Sequence, residues 1–148
     1  MKKILIANRG EIAIRVARTC NDLGIKTIGI FSEDDATSLH LSKMDESFMI
    51  DEKGANAYLN IKKIIDVAKR EKADGIHPGY GFLSENPEFA KASKRAKIKF
   101  IGPSEKSLTI FGDKSEAKKL ALKLDIPIVR GTQGKTSLKH ASSFFKDL

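Results

Sequence analysis

Short apolar runs alternate along this chain with longer stretches in which apolar residues recur every three or four positions, and few folds accommodate that alternation. Lys3 to Ala7 is rich in isoleucine and stops at Asn8-Arg9-Gly10, the pattern of a strand buried on both faces. Glu11 to Leu23 then sets Ile12, Val16, Cys20 and Leu23 on one stripe, which predicts an amphipathic helix, with Gly24 at its C-terminal stop. Thr27 to Phe31 predicts a second strand, Asp34 to Met44 an irregular or briefly helical segment, and Ser47 to Ile50 a third strand. Ile61, Ile64, Ile65 and Ala68 mark a second helix, and Gly75 to His77 a strand stopped by Pro78. Pro87 opens a helix with Phe89, Ala92 and Ala96 inward, and Phe100-Ile101 forms a further strand ended by Gly102-Pro103. Strands separated by helices imply βαβ units and a parallel sheet. Right-handed crossovers make that sheet doubly wound, with helices on both faces. The expected fold class is therefore α/β with a doubly wound, mainly parallel sheet. Ligands of such sheets bind at the carboxyl ends of the strands, so the loops Asn8 to Glu11, Ser32 to Asp35 and Pro78 to Asn86 hold the candidate chemistry.

Beyond Pro103 the pattern turns helical. Ser104 to Phe111 predicts a short helix. Asp113 to Leu124 predicts another, with Ala117, Leu120, Ala121 and Leu124 inward, capped by Asp113 with Glu116 completing a capping box. Ile126 to Val129 reads as extended, and Gly131, Thr132 and Gly134 as a turn. Leu138 to Leu148 predicts a last helix whose Phe144 and Phe145 have nothing after them to pack on, the expectation for a fragment.

Composition narrows the function classes. The chain has 148 residues, the size of about one ordinary domain. No apolar run approaches the roughly 20 residues a membrane helix needs, and no signal-peptide core is present. Cys20 is the single cysteine, which excludes an internal disulfide or a cysteine metal cluster and suits a reducing cytoplasm. The net charge of +8 raises nucleic acid as a partner. The lysines, however, lie at spacings expected for solvated helix faces and no stacking aromatics interleave with them, so nucleic acid is not expected.

The strand-end loops argue mostly by what they lack. No Gly-x-Gly-x-x-Gly follows the first strand, which weighs against a dinucleotide-binding dehydrogenase, and no P-loop is present. Arg9 and Glu11 read from spacing alone as a solvated strand-to-helix turn. His77 to Asn86 contains Gly79-Tyr80-Gly81 at a strand end. Glycines there permit close backbone approach or positive φ, and such a loop can cradle an anion. On spacing alone a tight turn is preferred, with Tyr80 and Phe82 covering the sheet edge. His77 reads as a satisfied histidine beside the core, and neither His40 nor His140 has a partner at metal-ligand spacing. Lys114 stands in the first turn of its helix, the unfavourable end for a cation. Either an anion binds there or the lysine is simply solvated.

Taken together, Ile6-Ala7-Asn8-Arg9-Gly10-Glu11-Ile12-Ala13, Tyr58-Leu59-Asn60, His77 to Asn86, Phe100-Ile101-Gly102-Pro103 and Gly112-Asp113-Lys114 resemble biotin carboxylase, the ATP-dependent component of acetyl-CoA, pyruvate and propionyl-CoA carboxylases. The resemblance covers roughly residues 2 to 132. It implies a Rossmann-like N-terminal domain over residues 1–112 and, over 113–148, a helical segment leading into an ATP-grasp domain that this sequence lacks. The family joins bicarbonate to ATP and carboxylates biotin on a carrier protein, with Mg²⁺. The resemblance further implies that Lys114 contacts ATP, that Gly79, Tyr80 and Gly81 face the active-site cleft, and that Arg18 and Asp22 lie near a homodimer interface. The partners it implies are the ATP-grasp and C-terminal domains and the biotin carboxyl carrier protein. The chain alone is expected to be inactive. The competing readings are a stand-alone binding or assembly module with this fold, and the N-terminal domain of another ATP-grasp ligase.

Overall fold

In the computed structural model, which describes residues 1–129, 131–132 and 136–146, five strands form one parallel sheet. They are β1 (Lys3–Ile6), β2 (Lys26–Phe31), β3 (Glu46–Met49), β4 (Gly75–His77) and β5 (Lys99–Phe100), in the order β3-β2-β1-β4-β5. The helices are α1 (Gly10–Asp22), α2 (Asn56–Leu59), α3 (Ile61–Arg70), α4 (Pro87–Arg95), α5 (Glu105–Gly112), α6 (Lys114–Lys123) and α7 (Leu138–Lys146), with 3-10 turns at Glu33–Asp35 and Leu39–Lys43. The expected alternation is present. Only the short α2 lacked a sequence signal, because four residues cannot display a helical period. The chain divides into two compact units, Met1–Leu108 and Thr109–Leu148.

Strand side chains alternate between the two faces of a sheet, and β1 shows why helices must cover both. Leu5 and Ala7 join a core with Ile28, Ile30, Ile76 and the helix residues Tyr58, Ile64, Ala68 and Phe89. Ile4 and Ile6 pack on the other face against Ala13, Ala17 and Cys20 of α1. The α1 stripe is rotated from the one expected: Ile12 and Val16 are half-buried, and Leu23 is 68% exposed. Alanines allow the helix close to the sheet, and the bulkier residues flank that line.

Two carboxylates hold the amino ends of the inner strands. Asp74, just before β4, accepts the amides of Lys2 at 2.6 Å and Lys3 at 2.9 Å. Asp45 accepts the Thr27 amide at 2.7 Å and its hydroxyl at 2.8 Å. Asn60 caps α3 by accepting the Lys63 amide at 3.0 Å, and Asn86 caps α4 by accepting the Phe89 amide at 3.1 Å.

In the second unit Asp113 caps α6, accepting the Ser115 amide at 2.7 Å and the Glu116 amide at 3.1 Å. The capping box is only half made, because Glu116 pairs with Lys119 at 2.7 Å instead of reaching back. The expected inward stripe of α6 is not buried: none of its residues is, and Leu124 is 58% exposed. Such a small unit cannot enclose a core of its own. The expected turn residue Gly134, and the last residues of the final helix, Asp147 and Leu148, lie outside the described residues.

His40 is fully buried, with Nε2 at 3.3 Å from the Ile30 carbonyl oxygen and Nδ1 without a partner. Burial disfavours the imidazolium and lowers its pKa, and burial lowers that of His77 as well. The unfolded chain then binds protons more readily than the folded one, so stability is complete above the unfolded histidine value of about 6.5 and is lost as pH falls below it. The aspartates held below their ordinary range, Asp45 and Asp74, lose their stabilising effect only as pH falls below about 4. Thermal melts should therefore fall by several degrees from pH 7.5 to 5.0, and His40→Gln should flatten part of that slope. An unchanged slope in His40→Gln would show that the histidine is not excluded from titration by its surroundings.

Candidate functional site

The strand order reverses between β1 and β4, and the crevice of a doubly wound sheet opens at the carboxyl ends of such a pair. The ladder runs one step past β1, with the Ala7 amide donating to the His77 carbonyl at 2.9 Å. The two chains then separate. In the gap stands the side chain of Asn8, 1% exposed. Its Nδ2 donates to the Pro78 and Tyr80 carbonyls, both at 2.8 Å, and its Oδ1 accepts the Arg9 amide at 2.9 Å. The crevice that receives a dinucleotide in other doubly wound folds is thus filled by an amide, in line with the missing glycine fingerprint.

The loop after β4 is folded around that amide. Gly79 has φ of +68° and Gly81 of +65°, and Phe82 is left-handed at +42° without being glycine. The Gly79 amide donates to His77 Nδ1 at 3.0 Å, so His77 is a satisfied histidine as expected. Close approach matters at Gly79 alone. A Cβ there would lie 2.5 Å from Asn8 Nδ2, whereas one on Gly81 would meet nothing within 4 Å. The two aromatic residues do not jointly cover the sheet edge. The Phe82 ring stacks on Tyr58 at 5.1 Å, and Tyr80 projects with 69% exposure. With His77, Cys20 and Ile101, Tyr80 lines a groove of about 400 Å³.

Arg9 is not merely solvated. Its guanidinium pairs with Asp35 at 3.0 Å and lies 5.4 Å from the Tyr58 ring centre and 5.7 Å from that of Phe82. Asp35 also receives the Tyr58 hydroxyl at 2.8 Å, the Ser32 hydroxyl at 3.0 Å and the Ser38 hydroxyl at 3.1 Å. Burial alone would raise the Asp35 carboxyl, but the hydrogen bonds from Tyr58, Arg9, Ser32 and Ser38 outweigh it and hold it below the ordinary range. Burial, followed by the Asp35 bond and charge, pushes the Tyr58 phenol up. Asp35 is thus tied to Arg9, Tyr58, Ser32 and Ser38 together. It organises the strand ends. The sequence marked the segment from Ser32 to Asp35 as a strand-end loop, but nothing in the pattern showed that Asp35 is the hub. Glu11 is exposed and pairs with Arg15 at 3.6 Å.

The remaining expected site residues are Lys114, in the second unit, and Arg18 and Asp22, in the first. Lys114 is exposed in the first turn of α6 and forms no ion pair among the described residues. Arg18 and Asp22 are exposed on α1, one turn apart, and Arg18 borders a pocket of about 510 Å³ with Arg15 and His40. Among the described residues no group of three His, Cys, Asp or Glu side chains could hold a metal ion, and no helix is long and apolar enough to cross a membrane.

Positive φ alone costs a side chain about 1–2 kcal/mol, whereas a collision with buried Asn8 adds strain of its own. Gly79→Ala should therefore lower the melting temperature more than Gly81→Ala. Equal losses from the two would place the restraint in backbone conformation rather than in the Asn8 contact.

Residues 1–108 match the family described as biotin carboxylase, N-terminal domain. Over 136 residues the chain is 52% identical to pyruvate carboxylase of Staphylococcus aureus, covering 90% of this chain and 12% of that enzyme. A solved biotin carboxylase domain of a single-chain bacterial carboxylase superposes with a TM-score of 0.95 at 43% identity, covering 99% of this chain and 34% of the other. The biotin carboxylase domain dimer of 2-oxoglutarate carboxylase from Hydrogenobacter thermophilus, solved with MgADP, ADP and bicarbonate, gives 0.93 at 41% identity, with 99% of this chain and 32% of that one covered. The chain thus spans roughly an eighth to a third of these proteins. With the parallel sheet, the strand-end loops and this match over most of its length, the chain belongs to the biotin carboxylase N-terminal domain family.

Proposed function

We propose that this chain acts as the N-terminal domain of an ATP- and bicarbonate-dependent ligase that carboxylates biotin on a carrier protein. The observation that carries this reading is the family match across residues 1–108. It is joined by a strand-end loop held so that Tyr80 projects while its backbone is fixed. In this reading Gly79, Tyr80 and Gly81 form one wall of the active-site cleft. An ATP-grasp domain, starting from the segment after residue 112, and a C-terminal domain supply the rest, and Arg18 and Asp22 contribute to a homodimer contact. The protein works in the cytoplasm, where its single buried cysteine stays reduced.

The chain's own residues fit only part of the cofactor set. Lys114, without an ion pair among the described residues, offers its ammonium to an ATP phosphate, while the adjacent α6 amides of Ser115 and Glu116 are taken by Asp113. No cluster among the described residues suits Mg²⁺. When bound, ATP supplies the phosphoryl group that activates bicarbonate. What this chain contributes is a phosphate contact and a rigid wall. The purified chain should therefore show no biotin-dependent ATP cleavage, since positioning and metal neutralisation carry phosphoryl transfer. Turnover well above background would overturn the reading.

Lys114 gives a sharper test. A lysine–phosphate hydrogen bond contributes about 1.5–3 kcal/mol. In a full-length pyruvate carboxylase carrying this segment in place of its own, Lys114→Ala should raise the KM for ATP by about ten- to a hundred-fold. In the isolated chain the same change should be neutral or slightly stabilising, because it removes a cation from the positive end of a helix. Unchanged ATP kinetics with a destabilised chain would make Lys114 a structural residue.

A further inference from the structure

We infer that Asn8 is a positioning residue for the proposed reaction: its side-chain amide, buried at the β1–β4 switch point, sets the place and direction of Tyr80. The inference rests on the reading of the Gly79 to Gly81 loop as an active-site wall. Both Nδ2 hydrogens of Asn8 are committed, one to the carbonyl before Gly79 and one to the carbonyl after it, each at 2.8 Å. The loop is pinned on either side of Gly79, and Gly79 itself lies so close that a Cβ would come within 2.5 Å of the same nitrogen. Two further contacts hold the flanks. The Gly79 amide bonds to His77 Nδ1 at 3.0 Å, and Phe82 stacks at 5.1 Å on Tyr58, which is anchored by its 2.8 Å bond to Asp35. Between these restraints one large side chain is left free, Tyr80, 69% exposed. A turn that only joined two elements would not require a buried amide, a histidine acceptor and an aromatic stack. These restraints fit a loop whose exposed side chain must stand in one place before a ligand arrives.

The side-chain chemistry makes asparagine the residue that fits. Two carbonyls converge on Nδ2 and one amide on Oδ1, so the site needs two donors and one acceptor on a short stem. Aspartate keeps the shape but turns an oxygen toward both carbonyls. An apolar residue leaves the buried Pro78 carbonyl and the part-buried Tyr80 carbonyl without this donor.

The chain has two tyrosines, so fluorotyrosine labelling gives two ¹⁹F lines, assigned with Tyr80→Phe. In Asn8→Asp the Tyr80 line should move toward the free-tyrosine position while the Tyr58 line stays, in a chain that still melts cooperatively. In the pyruvate carboxylase carrying this segment, Asn8→Asp should lower kcat for biotin carboxylation at least tenfold and leave the KM for ATP within about twofold, because a shifted wall impairs the chemical step and not nucleotide binding. Asn8→Ser, which keeps one donor, should fall between wild type and Asn8→Asp, and it serves if the aspartate variant does not fold. A Tyr80 line that does not move in a folded variant overturns the inference. So does a wild-type line already at the free-tyrosine position, which needs no variant. If the line moves and Tyr80→Ala impairs carboxylation but Asn8→Asp does not, the inference again fails while the wall reading stands. If neither Tyr80→Ala nor Asn8→Asp affects carboxylation, the wall reading itself fails.

Discussion

Leu5 of β1 and its neighbours Ile4 and Ile6 are almost wholly buried, yet they point to opposite faces of the sheet. A strand in that position cannot tolerate water on either side, so one helical layer has to form on each face before β1 is stable. The connections from β1 through α1 to β2, and through α3 to β4, follow from that requirement, because a parallel neighbour needs a crossover long enough to hold a helix. The place where the crossovers diverge, between β1 and β4, then follows from topology rather than from any motif.

Satisfying the polar atoms that this burial traps shapes the strand ends. At the amino ends, Asp74 and Asp45 take up strand amides. At the carboxyl ends, Asn8 takes up two loop carbonyls, and Asp35 gathers four donors. A buried donor or acceptor left unpaired costs about 1–3 kcal/mol, so these side chains are fixed by need as much as by attraction. The exception among the described residues is His40 Nδ1.

In the ring of Arg9, Asp35, Tyr58 and Phe82, the Asp35 carboxylate is tied to Arg9 and to the Tyr58 hydroxyl, and Phe82 stacks on Tyr58. The ring's effect is to stiffen the loop that carries Tyr80. The second unit, Thr109–Leu148, contrasts with it. The helices α6 and α7 bury no residue, and their apolar side chains have no core of their own to enter.

Much of the fold was legible in the sequence because its periods are strong. Runs such as Lys3 to Ala7 can be satisfied only as a doubly covered strand, and Pro87 or Asp113 mark a helix start through chemistry that acts within one turn. The resemblance carried jointly by Ile6 to Ala13, Tyr58 to Asn60, His77 to Asn86, Phe100 to Pro103 and Gly112 to Lys114 pointed to the family, and the match over residues 1–108 agrees with it. What the sequence could not display is any contact between residues far apart along it. The Asn8 bonds to Pro78 and Tyr80 span 70 and 72 positions, and the Arg9 bond to Asp35 spans 26. From spacing alone Arg9 was a solvated turn residue, and Gly79 and Gly81 were equivalent. The packed structure made Arg9 part of a closed ring and set Gly79 against Asn8 while leaving Gly81 in open space. The order of apolar residues fixes which segments become strands and helices, because burial acts on each segment's own pattern. Which polar side chain meets which loop is decided only when the sheet brings the strand ends together.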